Sequence, residues 1–137
     1  MSCIFCDIIE RKAHAEIIYE DNSVISFLDI RPINYGHALV IPKNHYEDFL
    51  SVPPEEMNDV IKVSQIIAEA VSKSLKIDGF NIVANNGKAA GQSVFHFHFH
   101  IIPRYKTDRF HFRPELKNYN NGGMKEFADK IRNAVTK

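Results

Sequence analysis

The segment Val94–Ile102 constrains the fold more than any other part of the chain. It reads Val-Phe-His-Phe-His-Phe-His-Ile-Ile, so polar and apolar side chains alternate. In a β-strand, successive side chains point to opposite faces of the sheet. A strand here would carry the three histidines on one polar, open face. The opposite face, which we expect to cover the core beneath a long helix, would carry Phe95, Phe97, Phe99 and Ile101.

Three histidines on one strand face allow two chemical uses. A merely solvated face would normally carry serine, threonine or lysine in place of His96, His98 and His100. Imidazole is the commonest metal ligand, and histidines two positions apart on a strand can chelate. An imidazole can also act as a nucleophile or a proton donor. The residues alone leave metal binding and catalysis open.

The remaining segments predict an α+β fold. Pro53 and Pro54 mark the start of a long helix to about Lys76, because proline is tolerated in a first helical turn and not deeper. Apolar periodicity predicts two further helices, near residues 4–12 and 124–136. Period-two patterns and turn residues predict strands at residues 17–20, 24–28, 37–41, 80–85 and 94–102. Neighbouring strands without an intervening helix favour an antiparallel sheet.

Composition excludes some classes of partner. Seventeen lysines and arginines balance seventeen aspartates and glutamates. Nonspecific binding to nucleic acid or acidic membranes normally needs a basic excess, so we expect neither partner. No uncharged apolar run approaches the roughly 18–20 residues that cross a bilayer. The first residues lack the basic region and long apolar core of a secretory signal, so we expect a cytoplasmic protein.

The only two cysteines form the pattern Cys3-Ile4-Phe5-Cys6. Two cysteines cannot build a disulfide framework, and in a reducing compartment this spacing favours metal binding or redox exchange. The spacing matches half of a tetrahedral zinc site. Because no second C-x-x-C follows, the residues alone leave both uses open.

A loop rich in small and amide side chains leads into the histidine segment. Its glycines permit a close approach of the backbone, and its amide and hydroxyl groups can donate hydrogen bonds. Such a loop beside histidines suits a phosphate. The residues concerned are Asn85, Gly87, Gly91, Gln92 and Ser93.

The stretch His96–Ile102 is similar to the His-φ-His-φ-His-φ-φ signature of the histidine-triad (HIT) family of nucleotide hydrolases and transferases, where φ is apolar. The resemblance covers residues 3–105 and implies the HIT fold, an antiparallel sheet of about five strands with a long helix packed on it and a short N-terminal helix. It divides the chain into a HIT domain at residues 1–105 and a tail at residues 106–137. Four segments resemble bacterial-type members in the same order: residues 3–9, 20–29, 37–43 and 91–104.

The resemblance implies a catalytic role for five residues. His98 would attack the α-phosphorus of a purine nucleotide, and water would then cleave the covalent nucleotidyl-histidine. The substrate would be a nucleoside phosphoramidate or a dinucleoside polyphosphate. His96 would lie beside the nucleophile, and His100 would bind the phosphate. Ser93 would assist the leaving group, and His37 would support the triad from an adjacent strand.

The resemblance also implies a nucleotide pocket. Asp29 would accept both ribose hydroxyls, since a carboxylate presents two acceptor oxygens to a cis-diol. The phosphate would contact Asn85, Gly91, Gln92, Ser93, His98 and His100. The base would lie between Ile4, Phe5, Ile8, Phe27 and Ile30.

For cofactor and partner, the resemblance implies a structural zinc ion and a homodimer. Bacterial-type members often complete the C-x-x-C with two histidines, and the ligands here would be Cys3, Cys6, His45 and His96. The dimer would pair the sheets and long helices of two copies. The long helix itself carries Val63, Ile66 and Ala70 off its main apolar stripe, and such residues need a second partner surface.

Two other function classes fit the sequence less well. The first is a purine-nucleotide-binding regulatory module with little turnover, and the intact His98, His100 and Ser93 favour the enzyme over it. The second is a metalloenzyme in which the three histidines hold one catalytic metal. The basic, aromatic stretch 104–113 is compatible with contact to a leaving group and equally with a solvated surface.

Overall fold

The structure is a computed structural model that describes residues 2–136. Met1, the first residue of the predicted HIT domain, and Lys137, the last residue of the predicted tail, lie outside this range. Short 3₁₀ turns occupy Phe49–Ser51 and Lys88–Ala90. The helices are α1 (Ile4–Ile9), α2 (Pro54–Leu75) and α3 (Gly123–Ala134), and the strands are β1 (Ile17–Glu20), β2 (Val24–Leu28), β3 (Ala38–Pro42), β4 (Gly79–Val83) and β5 (Phe99–Arg104).

The five strands form one antiparallel sheet in the order β1-β2-β3-β5-β4. The long helix α2 packs on one face over β2, β3 and β5. The short helix α1 covers the opposite face, where Phe5 and Ile8 contact Phe27 and Leu39. Because both faces are covered, β3 is buried along its whole length. The α+β class, the five-stranded sheet and both predicted packing helices are therefore confirmed.

Several element boundaries differ from the sequence prediction. Helix α1 stops at Ile9, short of residue 12, because Arg11 adopts a left-handed backbone conformation with φ of 62°. Strand β3 starts after His37 and includes Pro42, and β4 spans residues 79–83. Helix α3 begins at Gly123 and ends at Ala134, since Val135 has an extended backbone. No helix within residues 2–136 is long and apolar enough to span a membrane.

The buried face of α2 differs from the predicted stripe. Val63 lies in the core, although the sequence analysis placed it off the stripe, whereas Ile61 is exposed. The buried positions follow an alternating three- and one-residue spacing that includes Ser64, whose hydroxyl donates to the Val60 carbonyl at 2.7 Å. Burying a serine costs little free energy when its hydroxyl donates to a backbone carbonyl. A pattern that counts only apolar residues therefore missed the centre of the buried face.

The predicted strand 94–102 is the largest correction. Strand β5 is only Phe99–Arg104, so His96 and His98 precede it. Pairing with β3 stops at Val40↔Phe99, because the next residues of β3 lead to Pro42, which has no N–H to donate. Pro103 does not end β5 either, since β3 pairs only as far as Ile101 and Pro103 has one neighbouring strand.

The two faces predicted for this segment are partly wrong as well. Phe97 and Ile101 are buried in the core beneath α2 and Phe99 packs against it, but Phe95 is 40% exposed. The histidine side is closed, not open: His96 is fully buried and His98 is 7% exposed. Helix α1 covers this side of the sheet, and Phe5 lies edge-on to both imidazoles.

Candidate active site and metal centre

A cavity of about 270 Å³ lies between α1, β2 and the histidine segment. Most of its lining is apolar, and Asp29, Ser93, His98 and His100 are among its polar members. The residues predicted to enclose a base all line it: Ile4, Phe5, Ile8, Phe27 and Ile30. An apolar slot next to one carboxylate and two imidazoles can hold a flat ring, a diol and an anion.

The hydrogen bonds of His98 define its tautomer. Its Nδ1 lies 2.8 Å from the His96 carbonyl oxygen. A carbonyl only accepts, so Nδ1 carries the proton and Nε2 carries the lone pair. Burial has the larger effect and lowers the pKa of His98, which favours the neutral ring, although the hydrogen bond to the carbonyl raises that pKa. His98 therefore offers a neutral, oriented nitrogen base at the cavity wall.

A second chain of contacts defines the tautomer of His100. The Ile33 N–H donates to His37 Nδ1 at 3.1 Å, so His37 is protonated on Nε2. His37 Nε2 lies 2.9 Å from His100 Nδ1 and donates to it. His100 is then protonated on Nε2 and has a donor to offer to a ligand. Asp29 Oδ2 lies 3.6 Å from His37 Nε2 and 4.0 Å from His100 Nδ1.

The loop before the histidines supplies both structure and donors. Gln92 is buried, and its Nε2 donates to the carbonyls of Glu47 at 2.7 Å and Val94 at 3.1 Å. Its Oε1 accepts from the Gly87 N–H at 2.9 Å, and its own N–H donates to the Gly87 carbonyl. In this geometry Gln92 orders the loop and has no free donor for a phosphate oxygen.

The other loop residues lie at this cavity or at a neighbouring one. Asn85 lines a small neighbouring cavity together with His37 and His100. Gly91 has φ of 95°, a conformation that favours glycine, and a Cβ there would contact the Asn85 amide. Ser93 is exposed and lines the 270 Å³ cavity. Asn85 and Ser93 thus each line a cavity that His100 also lines, and Gly91 lies beside Asn85.

Cys3, Cys6, His45 and His96 converge although they are far apart in the chain. Their ligand atoms all lie within 4.8 Å of one another. His96 Nδ1 is 3.4 Å from Cys3 Sγ, 3.5 Å from Cys6 Sγ and 3.2 Å from His45 Nδ1. A tetrahedral zinc ion with Zn–S of about 2.3 Å and Zn–N of about 2.0–2.1 Å separates its ligands by roughly 3.3–3.8 Å. These three distances, and the 3.4 Å between Cys6 Sγ and His45 Nδ1, lie in or close to that range.

The protonation of His96 also suits a metal. Its Nε2 lies 2.7 Å from the Pro42 carbonyl oxygen and must carry the proton. Nδ1 is therefore a free lone pair, and it points into the cluster, an arrangement typical of metal-bound histidine. Burial, with a contribution from Cys3, raises the pKa of the Cys6 thiol to about 11 in the absence of a cation. A dication would reverse that preference by stabilising the thiolate.

The three triad histidines do not form one metal site in the described part of the chain. His96 joins the cysteines, whereas His100 belongs to a second cluster with Asp29 and His37. In that second cluster the two imidazole nitrogens are 2.9 Å apart, which is a hydrogen bond. The geometry therefore disfavours a single catalytic metal held by His96, His98 and His100.

Some residues of the site were missed at the sequence level. Leu39 and Val94 line the 270 Å³ cavity, and His14 lies at its edge. Leu39 pairs with His100 across β3 and β5, but the wholly apolar sequence of β3 does not show which side chains face a ligand. The Pro42 and His96 carbonyls fix two tautomers, and backbone acceptors leave no signal in a sequence.

Comparison with known proteins identifies the family. The HIT domain model matches residues 10–107. An uncharacterized HIT-like protein of Methanocaldococcus jannaschii is 54% identical over 106 residues, covering 77% of this chain and 81% of that protein. The adenylylsulfatase HINT3 of Arabidopsis thaliana is 41% identical over 106 residues, covering 77% of this chain and 54% of that protein.

Solved structures agree. A crystal structure of a HIT-family member from Bacillus subtilis superimposes with a TM-score of 0.93 at 36% identity, covering 100% of this chain and 99% of that one. A Zn-bound histidine triad family protein from Mycobacterium smegmatis is 42% identical with a TM-score of 0.77, covering 98% of this chain and 99% of that one. With its domain, fold and signature all matched, the chain belongs to the histidine-triad (HIT) family.

Proposed function

We propose that the protein is a hydrolase that cleaves a purine nucleotide at its α-phosphate through a covalent nucleotidyl-His98 intermediate. The observation that carries the proposal is the tautomer of His98, whose Nδ1–H donates to the His96 carbonyl at 2.8 Å. That bond aims a lone pair on Nε2 from a buried, neutral imidazole. Membership of a family that includes the adenylylsulfatase HINT3 supports hydrolysis of a nucleotide.

The chemistry follows from this tautomer. The Nε2 lone pair attacks the α-phosphorus, a P–N bond forms, and the bond to the leaving group breaks with its electron pair. Nδ1 keeps its proton, so the ring becomes positively charged, and the His96 carbonyl stabilises that charge. Water then attacks phosphorus, the P–N bond breaks, and the electron pair returns to Nε2. Covalent catalysis thus divides one difficult displacement into two easier ones.

The neighbouring groups are arranged to stabilise the phosphate. His100 Nε2–H is the donor left by the His37 contact, and it would bind a nonbridging oxygen together with Asn85 and the backbone around Gly91. Ser93 would donate its hydroxyl proton to the leaving group and regain a proton from the water that attacks in the second step. Asp29 would accept the ribose hydroxyls through Oδ2, because its Oδ1 already accepts the Arg31 N–H at 2.9 Å.

Zinc would have a structural role at Cys3, Cys6, His45 and His96. Bound there, it would supply a cross-link between α1 and the main sheet. The fit of the four ligand atoms supports the assignment, as does the Zn-bound relative from Mycobacterium smegmatis. His96 would hold the ion through Nδ1 while its carbonyl accepts from the nucleophile, so the metal site and the active site share one residue.

The proposal includes a two-fold homodimer. Strand β4 is an edge strand, and Phe80 and Ile82 are 44% and 49% exposed on it. Ile82 pairs with Ile101, which packs beneath α2, so both exposed side chains lie on the α2 side of the sheet. Ile61 and Ile66 of α2 are also exposed. A second copy would cover this band.

A substrate panel tests the proposed hydrolysis. We expect release of the nucleoside monophosphate from adenosine or guanosine phosphoramidates, from dinucleoside polyphosphates, or from both. The reaction is followed by chromatography at equal substrate concentrations. Nucleotide binding without turnover of any member would instead support the regulatory module.

The pH dependence follows from His37 and His100. Burial is the main cause that lowers the pKa of both imidazoles below the ordinary value of about 6.5. The contact between them requires neutral rings, so kcat/KM should hold down to pH 6.5 and decline only at lower pH. A pH–rate profile with an acid limb above 6.5 would contradict this. Because the unfolded chain binds these protons first, stability should also fall as the pH drops below about 6.5.

A further inference from the structure

The two cysteines of the proposed zinc site are accessible from solvent. Cys3 and Cys6 are free and half-buried, and with His45 they line a surface cavity of about 740 Å³ beside α1. They are the only cysteines in the sequence. A dication keeps its cysteine ligands deprotonated, and an accessible thiolate reacts with peroxides. The pair is therefore placed for oxidation as well as for metal binding.

The local backbone allows Cys3 and Cys6 to form a disulfide. Helix α1 begins at Ile4, and the Asp7 N–H donates to the Cys3 carbonyl at 3.0 Å, so one helical turn separates the two cysteines. Cα atoms three residues apart in such a turn are about 5 Å apart, which lies within the range seen in disulfides. The two Sγ atoms lie within 4.8 Å of each other. Rotation of the two side chains is therefore enough to bring the sulfurs into contact.

We infer that Cys3 and Cys6 form a redox modification site, where a peroxide converts the zinc-bound thiolates to a disulfide, releases the metal and lowers turnover. This inference rests on the zinc site proposed above and does not require the proposed hydrolysis for its chemical step. The C-x-x-C spacing by itself is compatible with metal binding and with redox exchange. The accessible, clustered position of the pair allows both uses in one protein.

The reaction is a two-electron oxidation of the cysteine pair. One thiolate attacks a peroxide oxygen, an S–O bond forms, the O–O bond breaks, and the departing hydroxide takes up a proton to become water. The second thiolate attacks the sulfenic sulfur, the S–S bond forms, and a second hydroxide leaves and is protonated. Both sulfurs are oxidised, and the peroxide is reduced to water. His45 and His96 alone cannot complete a tetrahedral zinc site, so the oxidised cluster releases the ion.

Oxidation would affect the active site through α1 and His96. Phe5 lies between the two cysteines in the chain, lines the 270 Å³ cavity and has its ring centroid 5.0 Å from that of His98. The His96 carbonyl accepts from His98 Nδ1 at 2.8 Å, while His96 Nδ1 points into the cysteine cluster. Loss of the cross-link between α1 and the sheet would loosen both contacts of the proposed nucleophile. We therefore expect turnover to fall more than nucleotide affinity.

Treatment of the zinc-loaded full chain with hydrogen peroxide tests the inference. Released zinc is measured with a chromogenic chelator, and the tryptic peptide that ends at Arg11 is analysed by mass spectrometry without reduction. We expect this peptide to lose two hydrogen atoms in the same fraction of chains that release zinc. The kcat should fall by about tenfold or more, because small displacements of a reacting group are costly. A thiol reductant added with zinc should restore it.

The control is Cys3→Ser/Cys6→Ser, which lacks the oxidisable sulfurs and keeps side chains of similar size. Its kcat and Tm should be the same before and after peroxide. An equal fractional fall of kcat in this variant would assign the loss to other residues and overturn the link to the active site.

The zinc content before treatment and the products after it test different claims. A wild type purified without zinc would overturn both the metal site and the inference. Zinc that stays bound while peroxide is consumed would overturn the inference alone. So would zinc released with sulfinic acids, or with links between chains, in place of the Cys3–Cys6 disulfide. Zinc content and peptide mass need no substrate, so both results stand if hydrolysis is not found.

Discussion

His98→Ala should lower kcat by at least about a thousandfold, the scale on which enzymes lose activity when a covalent nucleophile is removed. The substitution deletes the Nε2 lone pair but leaves Asp29, Asn85, Ser93 and His100 in place around the cavity. Affinity for a nucleoside monophosphate should therefore change by less than about tenfold. Rapid-mixing kinetics and calorimetric titration measure the two quantities.

The matched control is His111→Ala, because His111 is an exposed histidine in the tail that follows the HIT domain. Its kcat and nucleotide affinity should equal those of the wild type. If His98→Ala kept more than about a tenth of the wild-type rate, the loss would be under about 1.4 kcal/mol and His98 would not be the nucleophile.

The second large effect concerns the metal. Protein purified without added zinc should contain about one zinc ion per chain, and His45→Ala should remove it. His45 is exposed, so its truncation costs little packing, and a fall in stability then reports loss of the ion. We expect the Tm to fall by roughly 10 °C or more, which corresponds to about 3 kcal/mol in a domain of this size.

The metal should also affect turnover through two contacts. Cys3 and Cys6 flank Phe5, whose ring centroid is 5.0 Å from that of His98, and His96 holds the nucleophile by its carbonyl. His45→Ala should therefore reduce kcat more than it reduces nucleotide affinity. Metal analysis and thermal unfolding provide the readouts, again with His111→Ala as the control. Zinc retained in His45→Ala, or a metal-free wild type with an unchanged Tm, would show that the cluster is not a zinc site.

The sequence predicts correctly the strands whose ends are marked by nearby turn residues. β1 and β2 have the predicted bounds, because turn residues at 21–23 separate two short apolar runs. The alternating segment was over-extended, because alternation marks which side chains share a face but not where a partner strand can donate hydrogen bonds. Pro42 stops that ladder from the neighbouring strand, 54 positions before His96 in the sequence.

For the site, too, the residues could be predicted from the sequence but their protonation and hydrogen bonds could not. The resemblance named nine residues that line the cavity and the four that form the cysteine–histidine cluster, whereas Asn85, Gly91 and Gln92 lie outside the cavity lining. It could not supply the tautomers, which depend on the backbone groups of Ile33, Pro42 and His96. It also assigned Gln92 to the phosphate, whereas the structure commits its side-chain amide to the backbone of Glu47, Gly87 and Val94.

The most direct test of the account is to observe the covalent intermediate. A nucleotide substrate is mixed with the wild type, quenched within the first turnover under conditions that spare a P–N bond, digested and analysed by tandem mass spectrometry. The account predicts a nucleoside monophosphate adduct on His98, absent from His98→Ala. Turnover without an adduct on any histidine, or an adduct on His96 or His100, would contradict it.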